Sequence, residues 1–249
     1  MATFLKQYVQ YQKPQINMLI ALSLPLIGAV YNFGWRSAVF VVFSMLCCWL
    51  AEYLFTRREG KPASAASLVT GALLGLICPP NVPFWQIAVG SFFCIIFAKM
   101  AFGGFGKNIF NPAMVGRCFL YISFPAAMAA SWFVPFQGSI GGFAAFTTST
   151  PVATVDASMF NVDSVTSATT LTSAKKLNIH RREALAAGNT VEAQKALQSF
   201  ENISLGRLIV GNINGCLGET SSILILLSMA YLLYQKVLFI PLLIGPFIG

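Results

Sequence analysis

Ser37-Ala38-Val39-Phe40-Val41-Val42-Phe43-Ser44-Met45-Leu46-Cys47-Cys48-Trp49-Leu50-Ala51-Glu52-Tyr53-Leu54-Phe55 is a run of 19 residues with one charged side chain, Glu52. A helix needs about 20 apolar residues to cross a bilayer core of ~30 Å. Comparable runs cover roughly residues 16–35, 64–79, 84–103, 112–130 and 219–235, and a seventh opens at 237. The whole chain of 249 residues is 56% hydrophobic and only 10% charged, and its mean hydropathy is +0.70. A soluble domain carries about a quarter charged residues. Backbone groups in lipid must be satisfied within the segment, so runs of this length form helices and exclude a barrel. The expected class is an all-α polytopic membrane protein.

Charge orients the runs. Lys6 and Lys13 precede the first, Arg57, Arg58 and Lys61 follow the second, Lys107 follows the fourth and Lys236 follows the sixth. The opposite short loops hold only Arg36 and the Pro79-Pro80 turn. The positive-inside bias therefore predicts a cytoplasmic N-terminus. Five crossings then put the long segment 131–218 on the far face, the periplasm or exterior of a bacterium. Residues 1–15 are polar and no small-residue cleavage site follows the first run, so that run is expected to stay as a helix. The net charge of +8 belongs largely to the inner loops and gives no footing for nucleic-acid binding. Glu52 and Lys99 fall toward the cytoplasmic ends of their helices, where such side chains snorkel. Trp35, Trp85 and Trp132 fall near the outer interface, as an aromatic belt requires.

Two runs are broken. Residues 64–79 end at Pro79-Pro80, which stops any helix, and about 15 residues at 1.5 Å each reach only ~22 Å. In the run from 112, Pro112 suits a first helical turn, Arg117 follows a turn later, and Pro125 interrupts. Short membrane segments broken by Gly and Pro point to a site near the midplane, or are tilted, distorted spans. Asn108 and Asn111 are candidate caps for a half-helix whose N-terminal amides favour negative charge. Arg117 is an intramembrane cation, costly unless paired or facing a polar cavity. It has two readings: neutralising a bound anionic cofactor, or pairing with Glu219 or the carbonyls of a broken helix. Glu219 reads as just inside the sixth helix, either an ion-path ligand or a carboxylate stabilised by the helix N-terminus.

The six cysteines (47, 48, 78, 94, 118, 216) contain no C-x-x-C pair and are expected as buried thiols that pack like small apolar residues. No metal site is expected, and His180 reads as surface. Residues 131–205 are turn-rich and polar, with one or two short helices over 181–200 and a start signal at Asn189-Thr190.

Within that stretch Asp163-Ser164-Val165-Thr166-Ser167-Ala168-Thr169 offers a hydroxyl on a reachable segment. It resembles the D-x-x-[S/T]-G-A-[S/T] signature at which a flavin transferase esterifies FMN, with Ser167 where the signature has Gly. Upstream stands Gly106-Lys107-Asn108-Ile109-Phe110-Asn111-Pro112-Ala113-Met114-Val115-Gly116-Arg117. Downstream stands Gly211-Asn212-Ile213-Asn214-Gly215-Cys216-Leu217-Gly218-Glu219-Thr220-Ser221. The three blocks, in this order between membrane runs, resemble the family shared by the D subunit of the Rnf complex and the B subunit of the sodium-pumping NADH:quinone reductase. The resemblance runs from about residue 15 to the end.

That resemblance implies covalent FMN on Thr169 through a phosphoester, with Asp163, Thr166, Ser167 and Ala168 recognised by the flavin transferase. It further implies partner subunits, one of them carrying another flavin, and leaves room for a second flavin such as riboflavin; Asn108, Asn111 and Arg117 are candidate cofactor-binding residues. The implied activity is electron transfer between ferredoxin and NAD coupled to Na⁺ or H⁺ crossing a bacterial inner membrane. The B subunit of the quinone reductase is the alternative, as are a non-redox channel and a scaffold without flavin. The short N-terminal segment, Phe33-Gly34-Trp35 and Ser123-Phe124-Pro125 look more like the Rnf branch. The family shape implies an inverted five-plus-five helix repeat. On that basis residues 1–130 form the first repeat, 131–218 the external loop, and 219–249 the start of a second repeat that this sequence truncates. A seven-helix protein is the alternative.

Overall fold

The computed structural model describes residues 9–10, 12–57, 60, 62–129, 141–144, 146, 179, 216–219 and 221–238. Strand β1 is Val9–Gln10. Helix α1, Lys13–Phe33, and helix α2, Trp35–Thr56, have 21 and 22 residues. At 1.5 Å per residue each reaches about 32 Å, enough for the bilayer core. Between them stands Gly34 alone, at φ 89° and ψ 178°, its N–H bonded to Val30 O at 2.9 Å. A positive φ without Cβ strain reverses the chain in one residue. The turn is therefore Gly34 alone, and Trp35 and Arg36 open α2.

Strand β2, Ala63–Ser64, pairs in parallel with β1, Val9 opposite Ala63 and Gln10 opposite Ser64. Helix α3, Ala65–Leu76, has 12 residues, about 18 Å, and stops ahead of Pro79-Pro80. Helix α4, Phe84–Ala98, continues into a 3-10 turn at Met100–Phe102. Helix α5, Pro112–Ser123, breaks at Phe124 before the short α6, Pro125–Ala129. A 3-10 turn follows at Gly141–Ala144. Helix α7, Ser222–Tyr234, has 13 residues. The described residues are mostly helical, and α1, α2 and α4 with its 3-10 turn are long and apolar enough to cross a membrane.

The short helix is the centre. α3 packs against α1, α2, α4 and α5, and nine of its 12 residues are buried. Burial all round requires close neighbours, and glycine supplies the room. A Cβ on Gly71 would stand 2.5 Å from Met45 Cα, and one on Gly75 would stand 3.0 Å from Val41 Cα. Spaced four apart, the two lie on one face, the small-residue packing common between membrane helices. α5 closes on α4 in the same way, Gly116 fitting against Cys94 and Leu74, and Gly90 against Leu120. α7 packs on α1, while Ile223, Leu226 and Leu227 stay exposed, as lipid-facing side chains do.

Candidate functional site

The break in α3 is where distant segments meet. Four carbonyls at any helix end lack an intrahelical partner. Here Gly218 N–H donates to Leu76 O at 2.8 Å and Leu217 N–H donates to Cys78 O at 3.2 Å. The turn Cys216–Glu219 thus caps a half-helix that its own sequence abandons. Leu217 and Cys216 are buried there.

α5 brings the cation. Asn111 caps it, its Oδ1 accepting from Ala113 N–H at 3.1 Å, with Pro112 at the first position. Its contact at Gly116 sets Arg117 beside the 216–219 turn. Arg117 Nη1 lies 4.0 Å from Glu219 Oε1, and Nη2 lies 3.7 Å from Cys216 Sγ. The acidic side chain facing Arg117 is Glu219. The side chains of Arg117 and Glu219 remain 35% and 57% accessible. The pair is open on one side rather than sealed in the core.

Several expectations change. Glu219 lies in the turn ahead of α7, which starts at Ser222, and its N–H bonds Cys216 O at 3.1 Å. Asn108 does not cap α5; its Nδ2 donates to Phe110 O at 3.1 Å in an exposed loop. Among the described residues no hydrogen bond or ion pair links Asn108 or Asn111 to Arg117. Cys118 is exposed, whereas Cys47, Cys48, Cys78, Cys94 and Cys216 are buried. Trp35 and Trp85 are 49% and 58% exposed at one end of the bundle, as the belt requires. Asp163, Thr166, Ser167, Ala168, Thr169, Trp132, His180 and the expected helices of 181–200 lie outside the described residues.

The largest revision concerns Glu52 and Lys99, which do not snorkel. Lys99 Nζ is 2.7 Å from Glu52 Oε2 and donates to Ser64 Oγ at 2.7 Å. Ser64 in turn gives its backbone N–H (3.2 Å) and its hydroxyl (2.8 Å) to Glu52 Oε1. Glu52 is 3% and Lys99 2% exposed. The network ties the end of α2 to the end of α4 and the start of α3. Sequence reasoning missed it because the partners are 47 residues apart and each, alone, looks like a helix-end charge.

A half-helix held by a remote turn inside a bundle of spanning helices, with a half-buried arginine beside the break, defines a multi-pass membrane protein of the discontinuous-helix kind. The chain belongs to the NQR2, RnfD, RnfE family, whose pattern it matches over residues 1–248. It is 30% identical over 225 residues to the D subunit of the proton-translocating ferredoxin:NAD(+) oxidoreductase complex of Clostridium ljungdahlii, covering 88% of this chain and 57% of that one. It is 29% identical over 232 residues to the D subunit of the ion-translocating oxidoreductase complex of Rhodobacter capsulatus, with coverage of 91% and 60%. With the corresponding D subunit of Yersinia pseudotuberculosis it shares 40% identity over 138 residues, 52% of this chain and 39% of the relative. The chain thus spans 57–60% of the length of the first two relatives.

Proposed function

We propose that this chain is the membrane part of the D subunit in an ion-translocating ferredoxin:NAD oxidoreductase, and that it carries FMN esterified to Thr169. The observation that carries the activity is the match along nearly the whole chain to D subunits of ion-translocating oxidoreductase complexes, the first of them named for ferredoxin and NAD(+). The alternative, the B subunit of the quinone reductase, shares the family, but the names of these relatives favour the Rnf branch. Partner subunits, one with a flavin of its own, would pass electrons to and from this one in a bacterial cytoplasmic membrane. Segment 131–218 would face outward, between the repeats that 1–130 and 219–249 belong to.

FMN supplies reversible electron transfer, and the protein supplies position and electrostatics. Thr169 would provide the hydroxyl and Asp163, Thr166, Ser167 and Ala168 the segment that the transferase reads. Arg117 places a positive charge at the broken helix, where it would favour an anionic partner. Asn111 has its oxygen engaged in capping α5 and would offer a second flavin only its amide N–H groups. Asn108 would meet such a flavin from the exposed loop, and Glu219 would balance Arg117 or meet a passing cation.

The test is covalent flavin. Full-length chain co-expressed with a flavin transferase should fluoresce under ultraviolet light on a denaturing gel, and Thr169→Val should abolish the signal. Fluorescence that survives Thr169→Val and disappears with Thr166→Val or Thr170→Val would place the anchor elsewhere.

A further inference from the structure

Arg36 breaks the charge pattern that orients this protein, being the basic residue of the short loops at the end otherwise poor in Lys and Arg. Its surroundings are built. The guanidinium carbon lies 5.4 Å from the centre of the Phe84 ring and 6.0 Å from that of Phe40. Nη2 donates to Val82 O at 2.9 Å, and the backbone N–H donates to Phe146 O at 2.9 Å. The side chain is half-buried, so two aromatic faces and a carbonyl fix its orientation. No ion pair with a carboxylate is formed by Arg36 among the described residues. A guanidinium has five N–H donors in a planar fork, and the carbonyl takes one of them. The remaining donors of this half-buried group are open to an acceptor, and an anionic one balances the charge.

The neighbours say where that acceptor comes from. Trp35 precedes Arg36 in the chain and Trp85 follows Phe84, and both are exposed, at 49% and 58%. Trp35 Nε1 is bonded to Phe143 O at 2.9 Å, so its ring is held in place. Exposed tryptophans at a helix end mark the level of lipid headgroups. The acceptor available at that depth is a phosphodiester, whose two free oxygens match the guanidinium fork.

We propose that Arg36 is a phospholipid site that takes the phosphodiester of a headgroup at the level marked by Trp35 and Trp85. An anionic headgroup fits better than a zwitterionic one, whose ammonium would bring a second cation beside the guanidinium. The inference rests on the membrane-spanning fold and not on the flavin.

The experiment uses the full chain, reconstituted in nanodiscs of equal phosphatidylglycerol and phosphatidylethanolamine and released for native mass spectrometry. The wild type should retain phosphatidylglycerol in preference to phosphatidylethanolamine. Arg36→Gln should cut that retention about tenfold, the low end for a charged hydrogen bond, while Arg57→Gln leaves it unchanged. Equal retention in wild type and Arg36→Gln overturns the site. So does loss of a flavin mass rather than a lipid mass from Arg36→Gln, which would make the cofactor's phosphate the ligand. Wild-type protein in nanodiscs containing diacylglycerol gives a readout without any variant. Retention of that phosphate-free lipid at the level of phosphatidylglycerol also overturns it.

Discussion

At the scale of single residues the two ion pairs among the described residues are opposites. Glu52–Lys99 is closed at 2.7 Å with side chains 4% and 2% accessible, and Ser64 completes it. Removing one partner strands a buried charge, which costs about 3–5 kcal/mol, whereas removing both charges leaves no orphan. Glu52→Gln and Lys99→Met should therefore each lower the melting temperature strongly in detergent, and the double variant should regain much of the loss. A double variant as unstable as the two losses added would contradict a coupled pair. Arg117–Glu219, at 4.0 Å and half open, belongs with surface pairs worth about 0–1 kcal/mol. Arg117→Gln should leave stability within about 1 kcal/mol of wild type. If Arg117 also faces the flavin, the same variant makes the flavin potential more negative in a redox titration, since a cation favours the reduced anion. A large fall in melting temperature with an unchanged potential would make Arg117 a structural residue instead.

At the scale of elements, α3 depends on what its glycines leave out. A Cβ on Gly71 meets the backbone of Met45 and Ser44, which cannot swing aside, whereas one on Gly75 meets Val41 at 3.0 Å or more. Overpacking of this kind costs about 1–3 kcal/mol. Gly71→Ala should therefore melt below Gly75→Ala, and both below wild type; the reverse order would mean that α2 and α3 are packed differently. Much of this element was readable in advance. Pro79-Pro80 and Pro125 stop helices by removing a donor and by steric clash, and those effects are local. The cap on α3 was not readable, because its donors are Leu217 and Gly218. Asn108 and Asn111 show the same limit on a smaller scale. Both have capping chemistry, and only the one directly ahead of Pro112 is placed to use it.

At the scale of the molecule, the hydrophobic runs and the lysine and arginine asymmetry predict one orientation in the membrane. In a background without native thiols, Ala187→Cys should react with an impermeant reagent applied to intact cells, and Glu59→Cys should not. Labelling at 59 with protection at 187 would invert the protein and move segment 131–218 to the cytoplasm. The class of fold followed from composition because lipid imposes a severe rule on backbone groups. The buried Glu52–Lys99–Ser64 network did not, because no local pattern distinguishes a charge that reaches headgroups from one that finds a partner on another helix.

The turn that caps α3 also sets a timetable for synthesis. Leu76 O receives its donor from Gly218, 142 positions later in the chain (218 − 76). At translation rates of about 5–20 residues per second, roughly 7–28 s pass between the two. Throughout that interval the end of the half-helix stands in or near the membrane with unsatisfied carbonyls, which lipid cannot bond. Nascent chains shorter than about 218 residues therefore hold α3 only provisionally, through water, the insertion machinery or neighbouring helices. Ribosome-bound intermediates arrested before and after that length should differ in how readily α3 leaves the bilayer.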